Sequence, residues 1–232
     1  MSTKLQKDVA QYIAHFRAKH QKIRRLRDPL QRKLLIVTML SALAEGRYPK
    51  VSGDKSKFVS LIENDSDWAH ATFVSISQLE MMLKKHGATG LSRDFVQEVS
   101  RLYTGWRKRH SPWAIVGLAD DPKREDIFLA PSNKEEAKLA NAAKHSSLLY
   151  TYRCKLVHEF REPGHGMEMS EQDTPYYHSM MDSAGQNRTM ELVYPTTWFV
   201  GLVLPILARL EAHYVGAGIN PYGSYRFGSP WA

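Results

Sequence analysis

Apolar residues recur every three or four positions along most of the chain, the spacing of one face of an α-helix. Residues 3 to 27 read as a basic helix with Leu5, Val9, Tyr12, Ile13, Phe16, Ile23 and Leu26 on one side. Asp28-Pro29 breaks it and opens a second helix, expected over Pro29 to Glu45, with Gly46 as the residue just past its end. A Pro/Ser/Gly loop follows at 47 to 56. Further helices are expected over Phe58 to Ile62 and Trp68 to Leu83, with Phe73 to Ile76 locally extended. Ser92 is placed to cap a helix that runs to Arg109. Residues 111 to 132 hold three prolines and read as a loop with a small strand pair. Ser132 or Asn133 then caps a long helix from Lys134 to Phe160, with Glu135 and Glu136 in the first turn, where the helix dipole favours acid. Residues 164 to 188 form a polar loop, Thr189 to Tyr194 a short strand, and Pro195 to Tyr214 a last apolar helix. No repeat interrupts this pattern. It predicts an all-α fold with a few short strands: a basic N-terminal helix (1–27) packed on a helical domain (28–215), then a Gly/Tyr-rich tail (216–232).

The chain has 232 residues, 43% hydrophobic and 24% charged, which is ordinary for a folded domain of this size. The net charge of +8 is concentrated. Residues 1 to 33 hold ten Lys and Arg against Asp8 and Asp28, so the rest of the chain is neutral. Such an arm attracts nucleic acid, an acidic membrane surface or an acidic partner; it equally fits a solvated amphipathic helix. The longest apolar stretch, Trp198 to Leu207, is short for a membrane span and contains Pro205. The polar N-terminus lacks the apolar core of a secretory signal. Cys154 is the lone cysteine, which excludes an internal disulfide framework and a Cys-rich zinc site. A cytoplasmic location without a membrane partner is expected.

Candidate chemistry concentrates in Leu148 to Gly164. On a helix, Leu149, Tyr152, Leu156 and Phe160 fall within about 80° of arc and form the core stripe. Opposite them lie Ser147, Thr151, Cys154, His158 and Arg161, a face of small residues followed by a histidine and an arginine. That face suits close packing against another helix, with His158 at the seam. Equally, His158 fits an ordinary histidine near a helix C-terminus, where the dipole favours its charged form. Arg153 lies between the two faces.

Arg153-Cys154-Lys155-Leu156-Val157-His158 is an R-x4-H pattern on a late helix. With WAHATFVSISQLEMML, PYYHS at 175 to 179 and LVYPTTWF at 192 to 199, it resembles a bacterial and plasmid-borne branch of the HEPN superfamily, across roughly residues 28 to 215. The resemblance implies a HEPN-like helical bundle, a twofold homodimer that brings two motifs together, and a metal-independent endoribonuclease in a toxin or anti-phage defence role. Arg153 would bind the phosphate and the transition state, and His158 would act as general base or acid, with no cofactor. Cys154, Lys155 and Arg161 are weaker candidates for substrate contact. The partners implied are RNA, a second copy and a cognate antitoxin or other defence-system protein. One position departs from the pattern: active members commonly carry Asn, Asp or His after the arginine, and a thiol is a weak hydrogen-bonding group. Cys154 therefore favours the alternative, a catalytically inactive HEPN-like module that binds RNA or protein. A purely structural dimerisation domain is the third possibility.

Other groups carry less. Arg107-Lys108-Arg109-His110 suits either an RNA backbone or the dipole of the helix it ends. His165 and His178 lack a third ligand, so no metal is expected. Tyr222, Tyr225, Phe227 and Trp231, with Arg226 among them, suit either base stacking or packing on the domain. No phosphate-binding glycine loop is present.

Overall fold

The computed structural model describes residues 3–87, 89–110, 115–127, 133–164, 167–169, 171–181 and 188–224. In chain order its elements are α1 (Thr3–Arg24), α2 (Pro29–Arg47), α3 (Asp54–Asp65), α4 (Ile76–His86), α5 (Arg93–Arg109), β1 (Val116–Gly117), α6 (Arg124–Ile127), α7 (Lys134–Ala142), α8 (His145–Glu159), β2 (Tyr176–Met181), β3 (Arg188–Val193) and α9 (Thr196–Ala217). Among the described residues the chain is thus mostly helical, with three short strands. It divides into two compact units. The first contains residues 1–68, 153–162 and 196–232; the second contains 69–152 and 163–195. Helix α8 begins in the second unit and belongs to the first from Arg153 onward.

In the first unit α9 packs on α1, α2 and α3. Its Phe199, Val203, Ile206, Leu207 and Leu210 are fully buried, beside Ile13 of α1 and Ile36, Val37 and Leu40 of α2. This helix is longer than the sequence pattern predicts, and by length and composition alone it could cross a membrane. Its buried apolar side chains make it the core helix of this unit. Asp28 caps α2 by accepting the Gln31 N–H at 3.0 Å, with Pro29 in the first turn, as expected. Gly46 is not the terminating residue: it is buried inside α2, which runs one residue further to Arg47, with Tyr48 as its cap. Tyr48 donates to Asp65 at 2.7 Å, and burial, aided by that bond, pushes its phenol up to about 12. Near the C-terminal end, Tyr222 meets Tyr12 edge-on at 5.8 Å and Asn220 donates to Asp8 at 2.9 Å, so the start of the tail packs on α1.

The second unit carries the antiparallel sheet, in the order β1-β2-β3, with Tyr177 opposite both Val116 and Leu192. Strand β2 replaces part of the expected polar loop. Tyr176, Tyr177 and His178 are buried in succession, so the alternation that marks a half-exposed strand is missing. Two helix boundaries also differ from expectation, for one shared reason. Residues 73–75 are extended, as expected for this stretch, and with Ala71 they bond to 143–146: Ser75 N–H to Ala143 at 3.0 Å, His145 N–H to Phe73 at 3.0 Å and Ser146 N–H to Ala71 at 2.9 Å. That pairing stops the predicted Trp68–Leu83 helix from forming before Ile76. It also splits the predicted long helix into α7 and α8 at Ala143 and Lys144. Ser75, Ser92 and Asn133 cap α4, α5 and α7 through their side chains. The other cap candidate, Ser132, lies outside the described residues.

A buried polar cluster joins these segments. Asp121 accepts from Tyr177 at 2.6 Å and from Ile76 N–H at 3.3 Å, and it bonds His145 Nε2 at 2.8 Å. Tyr177 also bonds Ser75 at 2.7 Å. The Asp121 and His145 side chains have no exposed surface. Burial, with the Asp121 charge beside it, raises the Tyr177 phenol well above its ordinary value. The sequence pattern places Asp121 in a loop and does not foresee this cluster.

Candidate functional site

The C-terminal part of α8 carries Arg153, Cys154, Lys155 and His158, and Arg161 lies just past its end. Leu156 is fully buried and fixes which way this segment turns. Arg153 and His158 are five positions apart, so their side chains leave the helix about 140° apart. Arg153 is half-buried and its Nε donates to the Ser41 hydroxyl of α2 at 3.1 Å. Ser41 in turn donates to the Val37 carbonyl at 2.8 Å, so the arginine is held by a hydroxyl that α2 itself orients. Ser41 has a faint sequence signal: it is one of two hydroxyl residues inside the apolar run of α2. Cys154 is half-buried, with its Sγ 4.0 Å from Arg153 Nη1, at the limit of a weak bond.

His158 is exposed, with no hydrogen bond or ion pair to the described residues. Thus no helix among the described residues covers it as a seam. Lys155 and Arg161 are both engaged with Glu159, Arg161 at 2.6 and 2.8 Å. The Lys155 bond, with Arg161 adding to it, holds the Glu159 carboxyl below the usual carboxylate range. At the end of this segment, Lys33 of α2 is wholly buried and bonds Glu162 at 2.9 Å. Helix α2 therefore runs antiparallel to this part of α8, with Lys33 at Glu162 and Ser41 at Arg153.

Phe160 departs from the predicted core stripe. It has a left-handed φ of 51°, ends the helix after Glu159 and is 60% exposed. With Val157 and Leu35, also exposed, it leaves apolar surface on the same two helices that hold Arg153 and His158. Neither Arg153 nor His158 lines the cavity of about 430 Å³ in the second unit or that of about 420 Å³ in the first.

The remaining candidates lie elsewhere. Arg107, Lys108 and Arg109 occupy the last turn of α5, and His110 Nε2 is 3.3 Å from Asp120. His178 is buried in β2 and its Nε2 accepts the Met167 N–H at 3.2 Å. His165, Tyr225, Arg226, Phe227 and Trp231 lie outside the described residues. Among the described residues no three His, Cys, Asp or Glu side chains gather as a metal site would need.

The basic arm is helix α1 and the turn into α2. Its Val9, Tyr12, Ile13 and His20 are buried, so deleting it would strip the core of its unit. Lys7, Lys19, Lys22 and Arg25 are exposed and removable without that cost. No family model, no curated protein and no solved structure matches the chain.

Proposed function

We propose that the protein is a HEPN-like, metal-independent endoribonuclease that works as a twofold homodimer in a toxin or anti-phage defence role. The observation that carries this reading is the pairing of a hydroxyl-anchored, half-buried Arg153 with an exposed His158 on one helix segment. RNA supplies its own nucleophile. The ribose 2′-OH attacks the adjacent phosphorus, the P–O5′ bond breaks, and the products end in a 2′,3′-cyclic phosphate and a 5′-OH. One histidine removes the 2′-OH proton and a second protonates the leaving oxygen, a division of labour that imidazole suits near neutral pH. The guanidinium stabilises charge on the phosphorane. One chain offers one such histidine, so a second copy completes the pair. The exposed Leu35, Val157 and Phe160 beside the motif support a self-association face there.

Incubation with single-stranded RNA in excess chelator tests the reading. Cyclic-phosphate ends are the expected result; ends carrying 3′-OH and 5′-phosphate would refute the 2′-OH route. RNA binding that persists in wild type without cleavage would instead favour the inactive binding module, which the half-buried Cys154 also suits.

Two further outcomes are expected. Ser41→Ala leaves the Arg153 Nε–H without its partner and lowers the single-turnover cleavage rate by up to about tenfold, with a smaller change in RNA affinity. Ser41→Thr, which keeps the hydroxyl, recovers most of the rate. Replacing Lys7, Lys19, Lys22 and Arg25 together by Gln flattens the dependence of RNA affinity on salt, by about 0.7 in log–log slope for each phosphate no longer neutralised. An unchanged slope would leave α1 as a solvated helix face.

A further inference from the structure

The charge excess of the first 33 residues contains a feature that the proposed chemistry does not use. A cavity of about 420 Å³ in the first unit is lined by His20 and Arg24 of α1, Arg32 of α2, and Thr197, Val200, Gly201 and Leu204 of α9. Two cations and a histidine thus line one recess, whereas the lysines and arginines elsewhere on α1 lie along an open helix face. Neither Arg24 nor Arg32 forms an ion pair among the described residues. The contrast with their neighbours is instructive: Arg17 is matched by Glu211 at 2.7 Å, and the buried Lys33 by Glu162. Arg32 Nε is enclosed by protein and has no hydrogen-bond partner among the described residues. With Nε closed off, it is the rest of the Arg32 guanidinium that lines the recess and can meet an oxyanion there.

Helix α9 explains the space. Pro205 has no N–H for the Gly201 carbonyl four residues earlier, and its ring crowds that position. Gly201 has no side chain to fill the opening, and a Cβ built there meets no atom within 4 Å other than those of its chain neighbours and its own helix's backbone. The third side of the recess is fixed by His20, whose buried ring bonds the Val200 carbonyl at 2.9 Å through Nε2. That bond joins α1 to α9 and holds Arg24, one turn further along α1, at the rim.

We propose that this recess is a phosphate-binding site, in which Arg24 and Arg32 grip a phosphoryl group between α1, α2 and α9. Arginine is the fitting residue, because its planar N–H fork matches phosphate oxygens in pairs. The phosphoryl group belongs either to a nucleic-acid backbone or to a free phosphate. The site does not depend on the nuclease reading: it shares no residue with Arg153, His158 or Ser41.

The test is calorimetric titration of the full chain with inorganic phosphate at low ionic strength. Saturable binding by wild type is expected. Gly201→Asp places a carboxylate in the recess at a point with open space, and Arg24→Gln removes an exposed cation. Each is expected to weaken phosphate binding by about tenfold or more, with thermal unfolding and far-ultraviolet dichroism close to wild type. Absence of saturable binding by wild type, or either variant binding within about twofold of it, overturns the proposal. A 2′-O-methyl RNA without terminal phosphates, which the proposed cleavage chemistry cannot cut, separates the two sources. Displacement of phosphate by this RNA identifies a backbone phosphate as the ligand; binding of phosphate without displacement identifies a free one.

Discussion

Replacing Asp121 by alanine is expected to destabilise the second unit by about 3–5 kcal/mol. Asp121 is the acceptor on which Tyr177, the Ile76 N–H and His145 converge, and the side chains around it are closed to water. Removing the carboxylate leaves several buried polar groups without their partner at once, each costing about 1–3 kcal/mol. Tyr177→Phe removes one member and keeps the ring packed against Trp106 at 5.4 Å, so its cost is expected to be nearer 1–2 kcal/mol by the same reasoning, about that of one buried hydrogen bond. Urea unfolding followed by near-ultraviolet dichroism and tryptophan fluorescence checks both. An Asp121→Ala protein within about 1 kcal/mol of wild type would mean that the cluster holds nothing together.

The second large effect is expected at Arg153. Arg153→Ala should lower metal-free RNA cleavage by about 10²–10³-fold, the usual loss when one preorganised donor to a developing oxyanion is removed. The arginine is half-buried but sits beside the polar Ser41, so the fold should survive its truncation. Arg153→Lys is expected to rescue poorly. An ammonium keeps the charge but has no planar fork to bond Ser41 and phosphate oxygens together. A Lys variant as active as wild type would mean that charge alone matters at this position and that the Ser41 hydrogen bond is incidental.

How far such features were legible beforehand depends on the range over which they are made. Helices α1, α2 and α5 follow from apolar spacing, Asp28-Pro29 marks the start of α2, and capping by Ser92 and by Ser132 or Asn133 is read directly, because a cap acts over three residues. The break at Ala143 and Lys144 is not legible. Both are good helix formers, and the bonds that stop the helix come from Ala71, Phe73 and Ser75, some seventy positions away. Strand β2 is hidden for a related reason: three consecutive buried residues among polar ones give neither a period of two nor of 3.6.

The candidate site divides in the same way. Arg153 and His158 are visible as a motif, but their setting is not. The spacing predicts a closely packed face around His158; in the single chain Ser147 of that face is buried and Cys154 half-buried, while Thr151, His158 and Arg161 are exposed. Phe160 fits the core stripe by angle alone, yet the helix ends one residue before it. Ser41 lies more than a hundred residues from the arginine it holds, and only the antiparallel run of α2 beside α8 brings them together. Arg24 and Arg32 are counted within a charged arm; their convergence on one recess depends on α9, at the other end of the sequence.

The most direct measurement is the single-turnover rate of RNA cleavage in excess chelator, for wild type and His158→Ala matched by thermal unfolding. Wild type is expected to cleave, and the variant to be slower by about 10²–10⁴-fold, the range for losing a general acid or base. A His158→Ala protein that cleaves RNA at the wild-type rate would contradict the account.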